Sequence, residues 1–208
     1  MRAHLASPVR AASVVATATL VRPDHRTMTH HIAIKPTTWI FLAGLPATGK
    51  STLARALAKR LEKCVILDKD TVRATLFPGA MTDYTAEQND LCMRVIYDAA
   101  GYLTRHRLAD FILIDGRTFS SAAQLAEALD AASKARASQR ILHLICSDKV
   151  AAARLRVVDP DHPARDRDIE LYRQVKAKFE PILRPKLDLD TSSGVDNLVD
   201  RAIEYIHS

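Results

Sequence analysis

The segment GLPATGKS, Gly44 to Ser51, constrains this chain more than any other stretch of it. It follows an apolar run of strand character, WIFLAG (39–44), and opens a helical pattern over 50–62. A G-x-x-x-x-G-K-[ST] pattern between a strand and a helix is a phosphate cradle. Gly44 and Gly49 permit backbone conformations and close approach that a Cβ would block. The N–H groups of the loop, with the helix N-terminus, then form a nest for the β-phosphate of a nucleotide. Gly44, Leu45, Pro46, Ala47, Thr48 and Gly49, with Lys50, Ser51 and Thr52 at the helix start, are therefore the expected ATP-binding residues. Lys50 reaches the β- and γ-phosphates, and the Ser51 hydroxyl is a ligand for Mg²⁺.

From residue 38 onward, short apolar runs alternate with helical patterns, the signature of a parallel sheet wrapped by helices. Further strands are expected at 64–68, 111–115, 141–146 and 186–190, and helices at 85–107, 121–137, 148–156, 169–179 and 194–206. Leu91, Val95, Ala99 and Leu103, four apart, are the expected buried face of the longest helix. The expected fold is one α/β domain over 38–208, three layers with a five-stranded parallel sheet. VVDPDHPARDRD (157–168), with two prolines and many charges, reads as a loop or small mobile lid, about 155–169.

Parallel sheets bind ligands at the carboxyl ends of their strands, and each polar cluster of this chain falls at such an end. FILIDG closes a buried strand on Asp115, the place of a carboxylate that holds the Mg²⁺ shell through water. LDKDTVR sets Asp68 and Asp70 two apart beyond the second strand, with Arg73 three further on. If that segment turns into a helix, Asp70 and Arg73 share a face. A phosphoryl acceptor needs a base for its hydroxyl and a cation for any anionic group, which suits Asp70 and Arg73. Asp68 is the weaker carboxylate, read as support for the substrate site or as a helix cap. GRTFS after Asp115 puts Arg117 and Phe119 at the expected pocket mouth.

From Trp39 to its end the chain resembles the small P-loop kinases that phosphorylate metabolites, such as gluconate, adenylylsulfate and chloramphenicol kinases, and the polynucleotide 5′-kinases. It is most similar to an AAA-labelled, zeta-toxin-like branch of that group. The resemblance implies ATP and Mg²⁺ as cofactors and a hydroxyl acceptor approached by Asp70, with Asp68, Arg73 and Arg117 around the substrate. It also implies a lid whose arginines meet the transferring phosphate. Arg154 is the first choice for that role, and Arg156, Arg165 and Arg167 are further lid cations. The second arginine that such lids often carry four positions on is here Val158. DTSS after the fifth strand resembles the loop that borders adenine, which assigns Thr191 to ATP.

Composition narrows the alternatives. The chain of 208 residues is 48% hydrophobic and 26% charged, ordinary for a globular domain. No apolar run reaches membrane-spanning length. Cys64, Cys92 and Cys146 are far apart without CxxC spacing, which suits a reducing cytoplasm. Half of the net charge of +6 comes from Arg2, Arg10, Arg22 and Arg26 against Asp24. Residues 1–37 are expected to be a disordered extension, and a transit peptide is the alternative for 1–27. The remaining positive charge is not gathered in one block, so a small-molecule hydroxyl is favoured over a nucleic-acid 5′-hydroxyl as acceptor. The absence of N-K-x-D and L-S-G-G segments speaks against a GTPase switch and an ABC-type ATPase. A non-catalytic ATP-binding regulator is the reading from another class.

Overall fold

Two adjacent strands, β1 (Thr38–Ala43) and β3 (Phe111–Asp115), are buried along their whole length. Strands covered on both faces read as continuous apolar runs, because helices pack above and below them. In the computed structural model, which describes residues 35–156 and 169–208, they lie in a five-stranded sheet with β2 (Cys64–Asp68), β4 (Ser138–Ile145) and β5 (Leu187–Asp190). The order is β2-β3-β1-β4-β5 and every neighbouring pair is parallel. The expected three-layer α/β architecture is the one observed.

The period-2 alternation of a strand divides the core in two. Ile40 and Leu42 face a cluster with Leu53 and Leu57 of α1 (Lys50–Ala58) and Ala202 and Ile206 of α7 (Val199–His207). Trp39, Phe41 and Ala43 face the opposite cluster, with Met93 and Ile96 of α3 (Ala86–Arg105) and Leu125 and Ala128 of α4 (Ala122–Lys134). The described residues also include α2 (Lys69–Leu76), α5 (Asp148–Leu155) and α6 (Ile169–Ala177). None of their helices is long and apolar enough to cross a membrane. Thr37, the last position of the expected extension, is buried, and its hydroxyl donates to the Ala109 carbonyl at 2.8 Å. Residues 1–34, and most of the expected lid with Arg165 and Arg167, lie outside the described residues.

Two expectations are corrected. The buried face of α3 carries Cys92, Met93, Ile96, Tyr97 and Ala100, whereas Leu91 and Val95 are each 38% exposed. A strict four-residue repeat drifts around a helix of 3.6 residues per turn, and the i, i+3, i+4 set is the one that stays facing the sheet. Phe119 does not line a pocket mouth through an exposed ring: it is 1% exposed and packs edge-on against Phe41 at 5.8 Å between centroids. Its bulk belongs to the core even though its neighbours are polar.

The corrected phase of α3 is measurable. Ile96→Ala should lower the unfolding free energy by about 2–5 kcal/mol, and Val95→Ala by less than about 0.5 kcal/mol, by urea denaturation.

Candidate functional site

All five strands end on the same edge of the sheet, and the loop after β1 lies at its centre. Gly44 has φ +137°, and a Cβ there would lie 2.3 Å from the Leu144 carbonyl oxygen, so only glycine lets the chain leave β1 alongside β4. Ala47 and Gly49 also have positive φ, +61° and +88°, bending the loop so that successive amides form a concave surface. Gly49 caps α1 without a side-chain bond, and the first turn of α1 carries no acid. Its N–H groups and positive dipole end are thereby left for an anion. Pro46 and Thr48 are buried inside the loop, Leu45 and Ala47 are half-buried, and Thr52 is exposed.

Lys50 is 7% exposed, and its Nζ donates to the carbonyls of Gly44 and Leu45, both at 2.8 Å. The ammonium is thus held across the mouth of its own loop. Ser51 follows on the first turn of α1, half-buried. Behind the loop, Thr191 is fully buried just beyond β5. Its hydroxyl donates to the Thr48 carbonyl at 2.8 Å and accepts from Arg154 Nη1 at 3.1 Å. Arg154 Nη1 also donates to the Ala47 carbonyl, and Nη2 to the Thr191 carbonyl at 2.6 Å. Thr191 and Arg154 together staple the loop to the end of β5. Arg156, at the end of α5, is exposed.

Asp68 and Asp115 are register partners at the ends of β2 and β3. Asp115 is 1% exposed and its Oδ1 accepts from the Gly116 amide at 2.7 Å. Asp68 caps α2, accepting from the amide and hydroxyl of Thr71, both at 2.7 Å. Gly116 has φ +86°, and a Cβ there would lie 2.8 Å from the Lys69 amide nitrogen. The missing side chain lets the β3 end press against the start of α2. No cluster of three potential metal ligands occurs among the described residues.

The helix anticipated after Asp68 forms, and it brings Asp70 and Arg73 together at 2.6 Å, 5% and 3% exposed. Around them are residues that the sequence reading missed. The Asn89 side-chain oxygen accepts from Lys69 Nζ at 2.8 Å and from Arg73 Nη2, while its amide donates to the carbonyls of Tyr84 and Thr85. Arg117 Nη2 donates to Asp90 at 2.8 Å, and the Tyr84 ring covers the Arg73 guanidinium at 5.0 Å. Burial pushes the Lys69 amine below its usual range, against the pull of Asp70 3.5 Å away. Gln88 and Asn89 become visible as inward-facing polar residues once α3 is given its correct phase.

The loop after β1, the buried Asp115 carboxylate and the buried Asp70–Arg73 pair thus line one sheet edge. Residues 40–182 match the family model described as AAA domain. The chain belongs to the AAA domain family. No curated protein matches it. Its fold is shared by a sugar kinase from Janibacter sp. (TM-score 0.59, 17% identity, 83% of this chain and 95% of that one). It is shared also by the APS kinase of Mycobacterium tuberculosis in complex with AMPPNP and APS (0.62, 16%, 84% and 99%). A gluconokinase from Sinorhizobium meliloti is a third such structure (0.57, 12%, 83% and 93%).

The Thr191 staple is testable with an isosteric change. Thr191→Val leaves the Thr48 carbonyl without its buried donor and should destabilise the fold by about 1–3 kcal/mol, with weaker AMPPNP binding by calorimetry. Gly116→Ala should lower the melting temperature of this domain, because its new methyl meets backbone and not a flexible side-chain end.

Proposed function

We propose that this AAA-family chain is an ATP- and Mg²⁺-dependent kinase that transfers the γ-phosphoryl group to a hydroxyl of a small molecule. The observation that carries the reading is the Asp70–Arg73 pair, 2.6 Å apart and buried, on the edge that also bears the phosphate loop. A module that only bound nucleotide would have no use for a buried carboxylate and guanidinium outside the loop. That the solved structures of the same fold include a sugar kinase, an APS kinase and a gluconokinase supports the reaction class.

In this reading Lys50 and the loop amides hold the β- and γ-phosphates and counter the charge that develops on them. Bound nucleotide draws Lys50 Nζ away from the Gly44 and Leu45 carbonyls, two partners it holds in the described state. Ser51 and Asp115 would hold Mg²⁺, Asp115 through water, and the ion would neutralise phosphate oxygens. Asp70 orients the acceptor hydroxyl and takes up its proton, while Arg73 and Arg117 bind the acceptor with Asp68 in support. Arg154 is the arginine that would meet the transferring phosphoryl group, for which its guanidinium must leave the Ala47 and Thr191 carbonyls it donates to in the described structure; Arg156, Arg165 and Arg167 are the further lid cations.

Transfer of label from γ-labelled ATP to a panel of sugars, antibiotics, nucleosides and oligonucleotides tests the reading. Lys50→Ala should abolish transfer. Asp70→Asn keeps the shape and one acceptor for Arg73, so it should still fold and bind ATP while transfer falls about 10²–10⁴-fold. Undiminished transfer by Asp70→Asn would sink the base assignment, and labelled oligonucleotide alone would move the acceptor to a nucleic-acid 5′-hydroxyl.

A further inference from the structure

The strands begin on the edge opposite the phosphate loop, and the turns that enter them repeat one feature. Six residues other than glycine have positive φ among the described residues, and three of them, Lys63, Arg107 and Arg136, lie in helix-to-strand turns. Lys63 immediately precedes β2, Arg107 lies between α3 and β3, and Arg136 between α4 and β4. The last two close their helices in the same way. The Leu108 amide donates to the Leu103 carbonyl and the Arg107 amide to that of Thr104, as Ala137 and Arg136 do to Ala132 and Ser133. Such a turn needs a left-handed residue, and glycine takes that place without the strain a Cβ brings. This chain puts a lysine and two arginines there instead, all three exposed.

Strand register lines these cations up. Cys64, Phe111, Thr38 and Ser138, the first residues of β2, β3, β1 and β4, are successive partners across the sheet. The Asp110 amide donates to the Lys63 carbonyl, the Thr38 amide to that of Asp110 and the Ser138 amide to that of Thr37, so the turns are joined to one another. Neighbouring strands lie about 4.8 Å apart, so the row from β2 to β4 is about 14 Å long. Lys59 and Arg105, also exposed, end α1 and α3 beside it. Arg60 and Lys134 of the same turns are paired with Asp200 and Asp130. Lys59, Lys63, Arg105, Arg107 and Arg136 form no ion pair among the described residues. These five cations meet only two acids in their turns, Glu62 and Asp110, an excess of three, which equals the net charge of residues 35–208.

The negative dipole end of a helix favours a cation in its last turn, which accounts for Arg105 and Lys134. It does not account for a cation one place further on, where glycine is the least strained residue. We infer that this edge binds the phosphate backbone of a nucleic acid, away from the phosphate loop and independently of the kinase reading. The cations are spread over 59–136 in sequence, and parallel pairing gathers them into one row. Guanidinium and ammonium groups fixed in a row suit a linear run of phosphates, which guanidinium binds in a fork. Tyr102 and Leu108, 53% and 56% exposed, bring the only large apolar side chains into these turns. That is too little to sink into a lipid headgroup layer, whereas an exposed phenol ring suits stacking on a base.

Fluorescence anisotropy of the full chain tests the site, with a labelled single-stranded oligonucleotide of about 20 nucleotides and its duplex as probes, in about 50 to 200 mM KCl. At least one probe should bind saturably, with affinity falling as salt rises. The deciding variant combines Lys63→Gly, Arg107→Gly and Arg136→Gly. Glycine relieves the left-handed turns, so its melting temperature should hold or rise while its affinity falls at least about tenfold. The slope of log K against log salt should shrink by about 2 to 3, one unit for each lost phosphate contact. Asparagine at the same three positions, also at home in a left-handed turn, should lose binding likewise. Arg55→Gln, Arg94→Gln and Arg201→Gln together remove equal charge from exposed helix faces, and should weaken binding less than about threefold because salt screens distant charge. No saturable binding, undiminished binding by the glycine and asparagine variants, or an equal loss in the helix-face variant overturns the site. Binding of phosphatidylserine vesicles that the glycine variant loses, with both oligonucleotides unbound, gives the edge to a membrane and overturns the nucleic acid.

Discussion

Parallel pairing of β1 with β3 on one side and β4 on the other is the constraint on which the rest of the structure depends. Every strand runs the same way, so every strand ends on the same edge, and whatever follows a strand is delivered there. The loop after β1, Asp68 at the end of β2, Asp115 at the end of β3 and Thr191 after β5 are brought to one edge for that reason. Burial of β1 and β3 on both faces makes the pairing stable, since each face gives up a full row of apolar side chains to helices.

Close approach then refines what pairing delivers. At Gly44 the chain passes the Leu144 carbonyl, and at Gly116 it passes the backbone of Lys69, two places where a methyl group has no room. The first contact seats the loop against β4 and the second seats Asp115 against the start of α2. Arg154 and Thr191 hold the loop from behind through its own carbonyls, which leaves its amides facing the open side. Beside the Asp70–Arg73 pair Asn89 has the comparable task, because its one oxygen receives both Lys69 and Arg73.

The central residues of both halves are visible before folding. The phosphate loop is a contiguous string whose chemistry is local: two glycines, a lysine and a hydroxyl at set spacings between a strand and a helix. The Asp70–Arg73 pair is local too, three residues apart on one helix face, and the structure brings it together at 2.6 Å. The α3 face is less legible, because a four-residue apolar repeat looks regular in a string of letters but precesses on a helix. Phe119 is illegible for another reason: its neighbours in sequence are polar, while its neighbour in space is Phe41.

By itself the sequence determined the strand–loop–helix order, the phosphate loop and the pairing of Asp70 with Arg73, all of which depend on contacts within a few residues. Only the tertiary structure decided that Arg154 holds Thr191 and the loop, and that Asn89 joins Lys69 to Arg73. Those contacts join residues from 16 to 107 positions apart. Backbone pairing and burial set which of them meet, and no local pattern of residue types encodes that choice.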